Sequence, residues 1–487
     1  MKLERRSLLR LGGLGALMAW LPRSIAQALG YPRALQGPMI GAPGPNHFTV
    51  WVRTSGAFEV LLEVATDREF RHPVPGATAT AMADVAHNFC VTLRAEGLQP
   101  DTTYWYRLKY QGEDDRHLFL PLRTRTAPAG RADFRLAFGS CCRLQYDPVQ
   151  PIWDTVRGLE PDLFLWLGDN IYADSDQPQA LVDQYARGRA VERLAPFLRT
   201  TPQLATWDDH DFGFNNSDGT SPAKADSLAV FKDFWANPSY GEAGNPGVYF
   251  KQAYGGVDFF VLDGRYHRDP TTDPDTADKT MLGAAQKAWL KRELKASSAP
   301  FKVLAAGGGW SSAENEDGGD SWGVFLAERN EIFDFIRDQA IEGVVLISGD
   351  SHMGELNCIP RSGQGGYDLY DLCSSPLAQM PASKHTRQTP EMRVRDTWTR
   401  TVNVGVMHFR MRGDTPTLSY TLHDVLGEAV WEPLVLTPAD LKNGVRSWDR
   451  LADPTELERL ERFKQGKGYY GYDPGPDWPN RPYYGAK

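Results

Sequence analysis

Four times in one stretch of this chain a short apolar run stops at a group of polar residues suited to binding ions. That repetition narrows the possible folds more than any other feature. Phe134-Arg135-Leu136-Ala137-Phe138 runs into Gly139-Ser140-Cys141-Cys142, and Leu163-Phe164-Leu165-Trp166-Leu167 into Gly168-Asp169-Asn170-Ile171-Tyr172. Phe259-Phe260-Val261-Leu262 leads to Asp263-Gly264-Arg265-Tyr266, and Val344-Val345-Leu346-Ile347 to Ser348-Gly349-Asp350-Ser351-His352. Runs this short and this apolar predict buried strands. A further strand is expected at Phe301-Lys302-Val303-Leu304, with helices near residues 152–159, 284–294 and 325–336. Strands alternating with helices predict a layered α/β domain, here residues 132–430. In such sheets ligands collect beyond the carboxyl ends of the strands, where the polar groups stand.

The residues before this domain have a different rhythm. His47-Phe48-Thr49-Val50-Trp51-Val52 alternates as a half-buried strand does, and Val60-Leu61-Leu62-Glu63-Val64 and Phe89-Cys90-Val91-Thr92-Leu93 repeat the signal. A Pro-containing turn at Leu98-Gln99-Pro100 precedes the aromatic strand Tyr104-Trp105-Tyr106, so residues 37–127 read as a small all-β sandwich similar to fibronectin type III and immunoglobulin-like modules. Residues 124–130 read as its linker. At the other end, residues 431–487 form a C-terminal extension that becomes rich in Tyr, Pro and Gly from Gly466.

Residues 1–30 read as a signal peptide. Arg5-Arg6-Ser7-Leu8-Leu9 opens an apolar stretch to Leu21, and Ala26-Gln27-Ala28 offers a small-x-small cleavage site. The adjacent arginines resemble a twin-arginine signal, which predicts contact with that export machinery and a periplasmic or secreted destination. The apolar run is shorter than the roughly 20 residues a membrane span needs, and no later run reaches that length. The net charge of −9 disfavours a nonspecific nucleic-acid binder. Five scattered cysteines build neither a disulfide framework nor the paired spacings of structural zinc sites.

The chemistry is carried by five groups. Asp169 offers a hard oxygen ligand at a strand end, and Tyr172 reaches the same point three residues on; a phenolate suits trivalent iron. Asp350 and His352 let carboxylate and imidazole converge on one metal. Trp207-Asp208-Asp209-His210-Asp211, followed by Asn215 and Asn216, packs acids that repel one another unless cations intervene. That oxygen-rich set suits calcium or magnesium better than zinc. Cys141 is a candidate thiolate ligand, and the guanidinium fork of Arg265 suits two phosphate oxygens.

In this order, Gly-Ser-Cys, Gly-Asp-x-Ile-Tyr, Trp-Asp-Asp-His-Asp, Leu-Asp-x-Arg, Gln286-x-x-Trp289-Leu290 and Ser-Gly-Asp-x-His resemble the alkaline phosphatase D (PhoD) family of the metallophosphoesterase superfamily. The resemblance implies a phosphatase or phosphodiesterase using Fe3+ together with Ca2+. By motif position, Cys141 and Tyr172 would ligate iron, Asp169 would bridge metals, and Asp350 and His352 would complete the cluster. Asp209, His210 and Asn216 would contribute too, although spacing leaves the choice among Asp208, Asp209, Asn215 and Asn216 open. Arg265 would hold the phosphate. Apart from the resemblance, an imidazole at His210 is expected to assist the leaving group as a general acid. The family often has Gln after the iron cysteine and an Arg-Gln-Tyr-Arg run; Cys142 and Arg265-Tyr266-His267-Arg268 stand here instead. The expected function is therefore an exported phosphoesterase that hydrolyses phosphate esters through metal-activated water or oxo attack. Its rivals are a phospholipase D-like or teichoic-polymer phosphodiesterase, a periplasmic redox protein and a noncatalytic metal-binding protein. The redox reading lacks Cys-rich cluster motifs and a dinucleotide glycine fingerprint.

Overall fold

The computed structural model of the chain describes residues 31–115, 118, 121–311, 320–382 and 392–465. The proposed signal segment and the tail from Gly466 lie outside the described residues. No helix among the described residues is long and apolar enough to cross a membrane.

The first part is a β-sandwich. One sheet joins β1 (Ala34–Gly44), β2 (His47–Thr54) and β5 (Cys90–Ala95) in the order β1-β2-β5. The other runs β4-β3-β6-β7, from β3 (Glu59–Ala65), β4 (Ala79–Met82), β6 (Thr103–Tyr110) and β7 (Glu113–Asp114), with β8 (Leu122–Arg125) on β6. Alternation sets the core: Val60, Leu62 and Val64 face Tyr104, Tyr106 and Leu108, while Glu63 and Arg107 pair outside at 2.6 Å. β2 departs from the half-buried expectation, because both its faces are covered. Its Trp51 packs into the helical layer of the second domain and donates from Nε1 to the Asp233 carbonyl at 2.6 Å. Tyr106 donates to the Arg199 carbonyl at 2.7 Å, so the sandwich is docked against that domain.

The second domain is two six-stranded sheets packed face to face. The first, in the order β11-β10-β9-β18-β19-β20, contains β9 (Phe134–Gly139), β10 (Leu163–Leu167), β11 (Gln203–Thr206), β18 (Asn403–Arg410), β19 (Thr417–Asp424) and β20 (Leu434–Leu436). The second, β12-β13-β14-β15-β17-β16, contains β12 (Phe250–Tyr254), β13 (Val257–Val261), β14 (Phe301–Ala305), β15 (Val344–Ser348), β16 (Glu355–Ile359) and β17 (Leu369–Cys373). β9, β10 and β11 run parallel, as do β13, β14, β15 and β17. Leu163, Leu165 and Leu167 of β10 enter the core between the sheets with Phe138, Val303 and Val345. Phe164 and Trp166 turn the other way, beneath Trp153 of the helix Ile152–Gly158 and Phe197. Two covered faces explain why β10 has no polar residue.

Helices Gly283–Ala296 and Leu326–Asp338 make the crossovers into β14 and β15. Residues assigned by sequence to a C-terminal extension pack on this body: β20 extends the first sheet, and Trp448 and Leu460 join its core. The parallel strands bring one set of carboxyl ends to a single edge, and that edge carries the site.

Candidate metal centre

A common rule places the first residues. Cys141, Asp169, Asp208, Asp263 and Asp350 are each the second residue after their strands β9, β10, β11, β13 and β15. Three of them turn back over the strand end in left-handed backbone, with φ of 59° at Cys141, 51° at Asp169 and 64° at Asp350; His352 (55°) and Asn216 (62°) share that conformation. It is uncommon for residues with side chains, and its recurrence beyond these strand ends picks out the edge as a candidate functional site. The turns are also packed tightly: a Cβ on Gly168 would lie 2.5 Å from the Asp208 Cβ, and one on Gly349 2.5 Å from the Ser140 Cβ.

Asp169 stands at the centre. Its Oδ2 lies 3.5 Å from the Cys141 Sγ and accepts from the Tyr172 hydroxyl at 3.0 Å. That hydroxyl is 3.3 Å from the His352 Nε2. Ligand atoms of Cys141, Asp169 and His352 all lie within 4.8 Å of one another, and so do those of Asp169, Asp209 and His210. Asp169 belongs to both sets. Its Oδ1 and the Asp209 Oδ1 are buried without hydrogen-bond partners. Buried carboxylate oxygens are ordinarily satisfied, so two orphans facing a cluster of acids fit bound cations.

Electrostatics agree. Burial first, then the charges of Asp209, Asp208 and Asp350, push the Asp169 carboxyl well above the usual range. Burial with Asp320 and Asp209 raises Asp350 to about 7, and burial lowers His352 to about 4. The Cys141 thiol and Tyr172 phenol are held protonated by burial and by the neighbouring Asp169. Burial leads each of these shifts, and the crowded carboxylates add to it at Asp169 and Asp350, a repulsion that a bound cation would relieve.

Loop hydroxyls hold the candidate ligands in place. Ser140 Oγ accepts from the Asp350 N–H at 3.0 Å and Ser375 Oγ from the His352 N–H at 3.1 Å. Asp211 is fully buried and joins two loops: its Oδ2 accepts from the N–H of Asn170 (3.0 Å), the Asn170 side chain (3.2 Å) and the N–H of Asp208 (3.2 Å), and its Oδ1 from Tyr185 (2.7 Å). Gln286 braces the Asp263 backbone from both sides, accepting its N–H at 2.9 Å and donating to its carbonyl at 2.8 Å.

Of the residues singled out in the sequence, Cys141, Asp169, Tyr172 and His352 converge directly. Between the two acids left open by spacing, Asp209 joins a ligand set, whereas Asp208 pairs with the Arg265 Nε at 2.5 Å. Asn216 is exposed; its N–H donates to Asp209 Oδ2 at 2.6 Å, and its side-chain oxygen accepts from Asn215. Asp350 is half-buried, and its carbonyl lies 3.6 Å from the Cys141 Sγ. His210 stacks near the Tyr172 ring (centroids 4.1 Å apart) and lies with its Nδ1 2.5 Å from Asp174, which leaves Nε2 for the cluster. Arg265 departs most from expectation. It is 1% exposed, held by Asp208, Asp320 and the Ser217 carbonyl, so its fork faces carboxylates in place of open solvent. Asp174 and Asp320 carried no sequence signal of their own, since their partners lie far away along the chain; Asp211 stood in the acidic run, but its bracing of the Asn170 loop was not legible there.

The family model described as PhoD-like phosphatase matches residues 136–415, and that of the PhoD-like phosphatase N-terminal domain matches residues 21–128. Alkaline phosphatase D of Bacillus subtilis (strain 168) is 27% identical over 386 residues, covering 66% of this chain. The match spans 64% of that relative, just under two thirds of its length. A solved structure of PhoD superposes with a TM-score of 0.71 at 20% identity, covering 90% of this chain and 99% of the other. A purple acid phosphatase from yellow lupin (Lupinus luteus) seeds shares the fold with a TM-score of 0.57 at 12% identity, over 84% of this chain and 74% of its own. The 280 residues from 136 to 415 are more than half of the 487, and the chain belongs to the PhoD-like phosphatase family.

Proposed function

We propose that this chain is an exported, metal-dependent phosphoesterase whose substrate is a phosphate monoester or diester. The observation that carries the reading is Asp169, shared by two ligand sets and buried with one oxygen unpartnered. Family membership supports it, as does the similarity to alkaline phosphatase D.

The donor chemistry divides. Cys141, Tyr172 and His352 with Asp169 make a set suited to Fe3+, because thiolate and phenolate stabilise the trivalent ion. Asp169 and Asp209, with oxygen from Asn216 and Asp350 at the rim, suit Ca2+. Metals held there would lower the pKa of a water nucleophile and neutralise phosphoryl oxygens. The protein's own groups do the rest. Arg265 supplies charge to the phosphoryl oxygens, and Asp208 fixes the direction of its fork. His210, oriented through Nδ1 by Asp174, is placed to protonate the leaving alkoxide from Nε2. Burial of Asp169, Asp208, Asp209 and Arg265 keeps these charges in a low-dielectric setting where they act strongly. Residues 1–30 would direct twin-arginine export to the periplasm or beyond.

The test is hydrolysis of p-nitrophenyl phosphate and bis-p-nitrophenyl phosphate by the metal-loaded protein. Turnover of either that disappears in Asp169→Asn supports the reading. A metal-replete, folded protein inert on both would leave a noncatalytic binding protein.

A further inference from the structure

Beyond β13 the chain makes a turn in which the Arg268 N–H donates to the Arg265 carbonyl at 3.2 Å, which sets the two guanidiniums on one side. Both side chains are 1% exposed. Both reach the same carboxylate, Asp320. Its Oδ1 accepts from the Arg265 Nη1 at 2.9 Å and pairs with the Arg268 Nη2 at 2.8 Å, and its Oδ2 accepts from the Arg265 Nη2. The Asp320 carbonyl also accepts from the Arg268 Nη1 at 3.4 Å. The fork stands beside the ligand cluster, since the Arg265 Nη2 is 3.9 Å from the Asp209 Oδ1.

The charge balance of this corner is informative. Asp208 already neutralises Arg265 through Nε at 2.5 Å. Asp320 is the carboxylate that both guanidiniums share, and its removal would leave their Nη donors without that acceptor beside the cluster. Buried guanidinium donors left without an acceptor are costly and favour an incoming anion. Both guanidiniums would keep their positions without Asp320. Arg268 lies over the Phe325 ring at 4.5 Å, and Arg265 stays tied to Asp208 and to the Ser217 carbonyl at 3.1 Å. Planar forks held in this way are preorganised for a group with several anionic oxygens, and a phosphoryl group offers one more than a carboxylate.

We propose that Arg265 and Arg268 together form a two-guanidinium seat for the phosphoryl group, and that the Asp320 carboxylate fills this seat as an internal competitor. The proposal rests on the phosphoesterase reading and adds to it a second phosphate-binding arginine and a carboxylate that the substrate displaces. Asp320 thereby sets affinity for substrate and product: it weakens phosphate binding and speeds release, with its cost falling on KM.

Equilibrium dialysis of inorganic phosphate against the metal-loaded, full-length protein tests this, with Asp320→Asn, Asp320→Ala and Arg268→Gln compared with wild type. Loss of the competing charge should tighten phosphate by about tenfold or more, and Arg268→Gln should weaken it by about tenfold. KM and the inhibition constant for phosphate should fall in Asp320→Asn. Asp320→Asn keeps the side chain's volume, so it reports even where the alanine variant fails to fold. Unchanged or weaker phosphate binding in Asp320→Asn, at wild-type metal content and melting temperature, would overturn the proposal and make Asp320 a structural brace. That result in a protein that still hydrolyses esters defeats the seat alone. Tighter phosphate binding in a protein that hydrolyses none upholds the seat and defeats the enzymatic reading.

Discussion

Asp211 is the strongest single tie between the loops that carry Asp169 and Asp209, and replacing it should damage stability and metal binding together. Its carboxylate takes four hydrogen bonds, three on Oδ2 from Asn170 and Asp208 and one on Oδ1 from Tyr185. In Asp211→Asn the amide oxygen can keep the three donors, but the amide NH2 then meets the Tyr185 hydroxyl. Tyr185 must reverse its role to accept, and the charge that strengthened all four bonds is gone. A charge-assisted bond contributes about 1.5–3 kcal/mol and a stranded buried donor costs about 1–3 kcal/mol. Burial already raises the Asp211 carboxyl to about 6, so part of that gain is offset in the wild type. The net loss should be about 2 kcal/mol for Asp211→Asn and about 4 kcal/mol for Asp211→Ala, which strands every donor. Urea unfolding of the metal-free proteins gives the stability change, and elemental analysis of the loaded proteins gives the metal content. Metal content should fall with stability, because the loops lose their common anchor. A stability change within about 0.5 kcal/mol for Asp211→Ala would refute the bracing role.

Tyr172→Phe should abolish a phenolate-to-iron absorption band while leaving the fold intact; a retained band would remove Tyr172 from the iron set. Gly168→Ala places a Cβ 2.5 Å from the Asp208 Cβ at a φ of 85°, so thermal unfolding should show a loss of about 2 kcal/mol or more, with reduced turnover. His87 pairs with Asp233 at 3.0 Å across the seam between sandwich and body, and that pairing raises its pKa above 6.5. The raised value means the stabilisation is full below pH 6.5 and fades as pH rises through the folded pKa. Melting temperature measured from about pH 6 to about pH 8 should fall more in wild type than in His87→Ala. Equal slopes would show that the pair contributes nothing to docking.

The strand ends were legible because parallel strands covered on both faces leave uninterrupted apolar runs, as in Leu163–Leu167 and Val344–Ser348. β11 was not legible. Its Gln203 and Thr206 are buried but satisfied across the fold, by the Trp166 Nε1 at 2.8 Å and the Leu262 carbonyl at 2.7 Å. β17 hides its character in the same way, since Asp371 sits mid-strand and accepts from the N–H groups of Trp310 and Ser311 and from the Ser348 hydroxyl. The candidate ligands Cys141, Asp169, Tyr172 and His352 could be foreseen because they closely follow the apolar strands β9, β10 and β15. Their supports could not: His210 meets Asp174 from 36 residues away and Arg265 meets Asp320 from 55. Only the fold brings those pairs together, and the pair at Arg265 changes an open phosphate fork into an occupied one.

The central claim is that one carboxylate, Asp169, serves two cation sites at once. Elemental analysis of the purified, metal-loaded protein tests it most directly, with Asp169→Asn and Cys141→Ser prepared alongside. The wild type should hold two kinds of cation, Asp169→Asn should lose both together, and Cys141→Ser should lose iron preferentially. A folded Asp169→Asn protein that retains its full complement of either cation would contradict the account.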